Sequence, residues 1–137
     1  MQGFHLTLTK CLFKIVKDLE IVDKKMNAPK HRIGVFDSGI GGFSVLSELF
    51  KVFPEAEYYY YSDDAHAPYG PKSDEYITDR TFAITNELIA KGAQMIVVAC
   101  NTATAASIDA LRAAYPQMTF VGVEPYLNAY YKKSGPA

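Results

Sequence analysis

From Ile33 onward the chain alternates two hydrophobic periods, and this alternation restricts the possible folds more than any other feature. RIGVFD, residues 32–37, is a short apolar run, the pattern of a strand buried on both faces and ending at Asp37. A glycine-rich turn, SGIGG, leads into FSVLSELFKVF, where Val45, Leu46, Leu49 and Phe50 form a helical stripe that Pro54 stops. AEYYYYS is expected as a second strand from its aromatic content. DDAHAPYGPK then reads as a loop, because Pro68, Gly70 and Pro71 block regular structure. Ser73 is placed to cap the next helix, Asp74 and Glu75 suit its dipole, and Gly92 ends it after about Lys91. AQMIVVA, NTATAASIDALRAAY and MTFVGV continue as strand, helix and strand, with Pro116 closing the helix. EPYLNAYYKK is expected to start a fourth helix, with Pro125 in its first turn. Strands alternating with helices in this way predict an α/β fold, a parallel sheet with helices on both faces.

Bulk properties narrow the class of protein. At 137 residues, 49% apolar and 21% charged, the chain suits about one globular domain rather than a disordered segment. A formal net charge of -1 gives no general attraction to nucleic acid or anionic lipid, so neither is an expected partner. No apolar run approaches the roughly 20 residues that span a bilayer. The two cysteines, Cys11 and Cys100, make no disulfide framework and no metal-site spacing, so no metal is expected and a reduced cytoplasmic thiol is the default. Residues 1–31 stand apart, because regular alternation begins only at Ile33. Their first 25 lack the pattern of a secretory signal, with Lys10, Lys14 and Lys17 interrupting any apolar centre. KCLFKIVKDLEIV has the pattern of a short amphipathic helix. Three regions are therefore expected: an extension over 1–31 with Met26 as the natural start, an α/β region over 32–123, and the start of a following segment over 124–137. Four strands are few for an α/β enzyme, so the chain is expected to be the front part of a larger protein.

In open parallel sheets, ligands gather beyond the carboxyl ends of the strands. Three polar stretches fall there: Asp37-Ser38-Gly39, Asp63 through Gly70, and Cys100-Asn101-Thr102. GIGGFS begins like a dinucleotide fingerprint, with Asp63 at about the right distance beyond it. Ser44 takes the third glycine position, however, and Asp37 brings negative charge to where a pyrophosphate would lie, so the nucleotide reading is disfavoured. In the second stretch Pro68 and Gly70 fix a loop that is expected to present Tyr69, and His66 reads as an exposed loop residue. Asp63 suits a cap, a solvated carboxylate or a group polarising the shared crevice. Cys100 reads first as a small buried hydrophobe. Its place between a strand and a helix N-terminus also suits an activated thiolate, with Asn101 and Thr102 as donors for a carboxylate. Without a clear histidine partner, acid/base work is as open as acyl transfer.

IGVFDSGIGG, DDAHAPYG and VVACNTATA, in this order and spacing, closely resemble the N-terminal half of bacterial glutamate racemases, within the aspartate/glutamate racemase superfamily. VGVEP, residues 121–125, resembles the next strand of that family, so the likeness runs from about Arg32 to Pro125. The resemblance implies the first of two similar α/β domains facing a cleft, here truncated. It also implies a cofactor-independent two-base interconversion of L- and D-glutamate, supplying D-glutamate for peptidoglycan. Cys100 matches the first of the family's two catalytic cysteines. Asp37 and Ser38 match its substrate-binding DS pair, with Asp37 placed to assist the thiol. Tyr69 and Gly70 match its YG pair, Asn101 and Thr102 its NT pair, and Asp63 a supporting carboxylate. A small-molecule substrate, a cytoplasmic location and a homodimer of the full-length protein are further expectations. The family's second cysteine, in a GCTH-like motif, has no match here, and Cys11 in the extension is a poor substitute. The isolated chain is therefore expected not to racemise glutamate at a useful rate. A racemase for aspartate or another amino acid, and a non-catalytic small-molecule-binding module, are the alternative readings.

Overall fold

The computed structural model describes residues 31–39 and 42–123. The N-terminal extension with Cys11, and the helix expected from residue 124, lie outside the described residues. Strand β1 (Arg32–Asp37) is followed by helix α1 (Phe43–Val52), strand β2 (Glu57–Ser62) and a 3-10 turn (Asp64–His66). Helix α2 (Asp74–Ala90), strand β3 (Met95–Val98), helix α3 (Asn101–Ala114) and strand β4 (Thr119–Gly122) complete the order. All pairings are parallel, and the strand order is β2-β1-β3-β4.

The period-two pattern of the strands sorts their side chains onto two apolar faces. Ile33 and Val35 of β1, with Met95, Val97 and Val121, pack with Val45, Leu46 and Leu49 of α1. Phe36, Ile96, Val98 and Phe120 pack on the opposite face with Ile77, Ile84 and Leu88 of α2 and Ile108 and Leu111 of α3. Helices therefore cover both faces, as the sequence pattern predicts. Close approach at the second face depends on missing side chains. A Cβ on Gly34 would sit 3.1 Å from Leu88 Cδ1, and one on Gly122 only 2.5 Å from Thr104 Cγ2.

Local signals fix the helix ends. The Ser73 hydroxyl accepts the Tyr76 N–H at 3.2 Å, satisfying one orphan donor of α2. Gly92 adopts φ 98, a conformation that closes the helix C-terminus at little cost only for glycine. The tyrosines of β2 are half-buried on an edge strand, and burial pushes Tyr58 up to about 12. Its hydroxyl lies 2.9 Å from both the Leu49 and Phe53 carbonyls, tying β2 to the end of α1.

The functional consequence lies in the topology. The chain leaves β1 for β2 on one side, then crosses back over to β3 on the other. The strand order reverses between β1 and β3, and such a switch point opens a crevice at the carboxyl ends of those two strands.

Candidate functional site

Asp37 ends β1 at this switch point and is 5% exposed. Its Oδ1 accepts the Ser38 N–H at 2.7 Å and its Oδ2 accepts the Gly42 N–H at 2.5 Å. Burial pushes its carboxyl above the usual aspartate range, against the lowering effect of these backbone donors. A phosphate bound at this turn would need those same N–H groups, so the geometry adds a second reason against the nucleotide reading. Gly42 opens α1 with no room for a side chain, because a Cβ there would lie 2.8 Å from Asp37 Cβ.

Cys100 follows β3 and is the N-cap residue of α3. The backbone is extended at Cys100, and the thiol sulfur accepts the Ala103 N–H at 3.4 Å. The sulfur thus occupies the place usually taken by a serine, threonine or asparagine oxygen. The N–H aimed at the sulfur lies at the positive end of a 14-residue helix. Thr104 Oγ1 donates to the Cys100 carbonyl at 2.8 Å, which fixes the strand-to-helix junction. Cys100 Sγ also lies 3.5 Å from Ser38 Oγ, its thiol donating. Ser38 therefore joins the two strand ends: its N–H binds Asp37 and its hydroxyl meets the thiol. Asn101 and Thr102 are exposed on the first turn of α3, beside the sulfur.

The second polar stretch is anchored to the first. The Asp63 N–H donates to the Asp37 carbonyl at 2.9 Å, and the Tyr60 hydroxyl donates to the Gly39 carbonyl at 3.1 Å. Ser62 Oγ lies 2.9 Å from that same carbonyl and 2.7 Å from Asp64 Oδ1. Asp63 itself is buried and heavily bonded. Its carboxylate accepts Arg80 Nε at 3.0 Å, Arg80 Nη2 at 2.8 Å and the Tyr69 hydroxyl at 2.5 Å, with His66 Nδ1 at 3.0 Å. Burial alone would raise its pKa, but hydrogen bonds led by Arg80 hold it below the ordinary carboxylate value. Asp63 is thus a structural hub rather than a carboxylate open to the crevice.

The loop differs from expectation at Tyr69. Pro68 and Gly70 do fix a turn, but the Tyr69 side chain points inward and is 1% exposed. Burial and the neighbouring Asp63 carboxylate push its phenol far above the usual tyrosine range. An apolar ring with one buried acceptor within reach is more favourable inside than presented to water. Gly70, next to it, is exposed with open space where a side chain would be. Among the described residues, no group of three or more His, Cys, Asp or Glu side chains could hold a metal ion. None of the described helices is long and apolar enough to cross a membrane.

The assembled features are a thiol capping a helix at a switch point, a serine linking it to a buried aspartate, and a buried Asp63 hub behind them. Glutamate racemases resemble this chain in both sequence and fold. A glutamate racemase from Ectopseudomonas mendocina (strain ymp) is 51% identical over 100 residues, covering 73% of this chain and 38% of the relative. In sequence and in fold, the chain matches part of a glutamate racemase. The glutamate racemase of Clostridium perfringens (strain 13 / Type A) is 46% identical over 110 residues, 80% of this chain and 41% of the relative. Among solved structures, glutamate racemase from Thermus thermophilus in complex with beta-chloro-D-alanine superposes with a TM-score of 0.66 at 38% identity. That match covers 70% of this chain and 37% of the other. Escherichia coli glutamate racemase, in complex with L-glutamate and the activator UDP-MurNAc-ala, gives 0.65 at 39% identity, over 69% of this chain and 35% of that one. No protein-family model matches the chain. The chain spans about two fifths of the length of the curated glutamate racemases it matches.

Two features of this site escaped the sequence reading. The first is Cys100 as its own helix cap, which sulfur's absence from the usual cap residues conceals. The second is Arg80. It lies in phase with the buried stripe of Ile77, Ile84 and Leu88, and a cation at such a position needs a buried anion. That mismatch was the available signal.

Proposed function

We propose that this chain carries one half of the catalytic machinery of a cofactor-independent glutamate racemase. The observation that carries the reading is the Cys100 sulfur at the switch point, capping α3 and 3.5 Å from the Ser38 hydroxyl. The likeness to glutamate racemases supplies the substrate class.

The chemistry follows from what an amino-acid α-proton requires. It is very weakly acidic, so its removal needs a placed base and fixed donors for the charge that develops. The Cys100 thiolate takes the α-proton and becomes a thiol. The electron pair left on the α-carbon spreads into the substrate carboxylate, which Ser38, Asn101 and Thr102 hold from the α3 side. Gly70 borders the same pocket, and Asp37 acts through the Ser38 turn. A second acid on the opposite face of the substrate returns a proton, which inverts the carbon and leaves that group as the base for the reverse direction. Net charge and proton count are unchanged over the cycle. The product D-glutamate serves peptidoglycan synthesis in the bacterial cytoplasm, and the full-length protein works as a homodimer.

A chimera tests this directly: residues 32–123 replace the matching segment of the Clostridium perfringens relative, and the product is incubated with D-glutamate in heavy water. Loss of the α-proton signal is expected, and Cys100→Ala in the chimera should abolish racemisation. Exchange with aspartate but not glutamate would overturn the substrate assignment. Near-normal turnover of Cys100→Ala would overturn the acid/base assignment.

A further inference from the structure

We propose that Arg80 is a positioning residue for the Cys100 site, acting through Asp63 and Tyr69. The functional meaning of this rests on the racemase reading, but the chain of contacts stands without it. Arg80 sits on α2 and touches no residue of the proposed reaction directly. Its Nε and Nη2 grip Asp63 Oδ2 and Oδ1 at 3.0 and 2.8 Å, the two-pronged geometry that a lysine cannot reproduce. Asp63 in turn holds the Tyr69 hydroxyl at 2.5 Å.

The Tyr69 side chain belongs to the same buried cluster as Cys100, Phe36, Ile77 and Ala103. Arg80, Asp63 and Tyr69 therefore form one line of contacts from the middle of α2 to the wall beside the thiol. Removing Arg80 leaves the buried Asp63 carboxylate without its cation, with only Tyr69 and His66 of the described residues beside it, which favours local opening over keeping the charge dry. Tyr69 then loses Asp63 as the acceptor of its hydroxyl, and the loop from Pro68 to Lys72 loosens next to Cys100.

The test uses the 137-residue chain with Cys11→Ser, so that Cys100 is the sole thiol. The rate of Cys100 alkylation by iodoacetamide is compared among this parent, Arg80→Met, Arg80→Lys, Tyr69→Phe and Thr78→Ala. Thr78 is the control: from the same helix it donates to the Ala106 carbonyl at 3.3 Å rather than to Asp63. Arg80→Met should raise the rate by at least about tenfold, since breaking a buried pair from one side is strongly unfavourable. Arg80→Lys should fall between Met and the parent, and Tyr69→Phe should also react faster. Thr78→Ala should leave the rate unchanged. Parent-like rates in folded Arg80→Met and Tyr69→Phe would overturn the proposal, as would an equal rise in Thr78→Ala. If Arg80→Met does not fold, Arg80→Lys and Tyr69→Phe decide alone. A chimera that fails to exchange glutamate, with Arg80→Met still accelerating alkylation, would remove the racemase reading and leave the positioning role standing.

Discussion

Asp37 and Asp63 are both buried aspartates, yet their surroundings push them in opposite directions. Asp63 has the Arg80 fork and two ring partners, and its pKa lies below the ordinary 3.8. Among the described residues, Asp37 takes the backbone donors of Ser38 and Gly42, and burial keeps it above 3.8. The linkage signs follow. A depressed carboxylate stabilises the fold above its unfolded pKa, and that contribution is lost as pH falls through the folded value. A raised carboxylate costs stability when ionised, and acid relieves that cost as pH falls through its folded value. Urea midpoints should therefore hold level or rise slightly on acidification towards pH 4, then drop below it. Asp63→Asn should flatten the drop and lower neutral stability by about 1–3 kcal/mol, the range for losing hydrogen bonds to a buried charged group whose partner Arg80 can still reach water. An acid limb unchanged in Asp63→Asn would show that other carboxylates control it. Cys100→Ser offers a separate check on the cap. Its hydroxyl can still accept the Ala103 N–H, so the midpoint should stay within about 1 kcal/mol of the parent.

The glycine-rich turn between β1 and α1 works only if the backbone passes close to Asp37. Gly42→Ala places a Cβ 2.8 Å from Asp37 Cβ and 3.1 Å from the Tyr60 hydroxyl, neither of them the free end of a flexible chain. We expect it to cost about 1–3 kcal/mol by overpacking and to disturb the Ser38 hydroxyl near Cys100. Thermal unfolding together with Cys100 alkylation would show both effects; a variant matching the parent in both would mean that the turn yields freely. This turn also shows where sequence reading succeeds and stops. The elements themselves follow from local signals: period-two apolar runs, the Ser73 cap and the positive φ of Gly92. The convergence of three polar loops also follows, because a parallel sheet puts every strand end on one edge. Side-chain direction at that edge does not follow. Tyr69 turns inward because Asp63 awaits it, and Asp63 can stay charged there because Arg80 arrives from α2, 17 residues further along. Such contacts depend on tertiary register that no local window contains.

One wall of a cleft can supply a base to only one face of a substrate. On the proposed reading Cys100 stands on one such wall, and inversion at carbon needs an acid on the far side. Cys11, the one other cysteine in the sequence, lies outside the described residues. The glutamate racemases that the chain matches are nearly twice its length. The expected division of labour is a deprotonating thiol here and its opposite partner in the part of those relatives that the chain does not span. Incubating L-glutamate with the 137-residue chain alone should therefore yield no D-glutamate by chiral chromatography, while the chimera converts it. Conversion by the chain alone would place the second acid within these residues. Cys11→Ser would then separate the two ways this could happen. Loss of activity would identify Cys11 as the opposing group, whereas retained activity would require a non-thiol acid and overturn a two-cysteine mechanism for this protein.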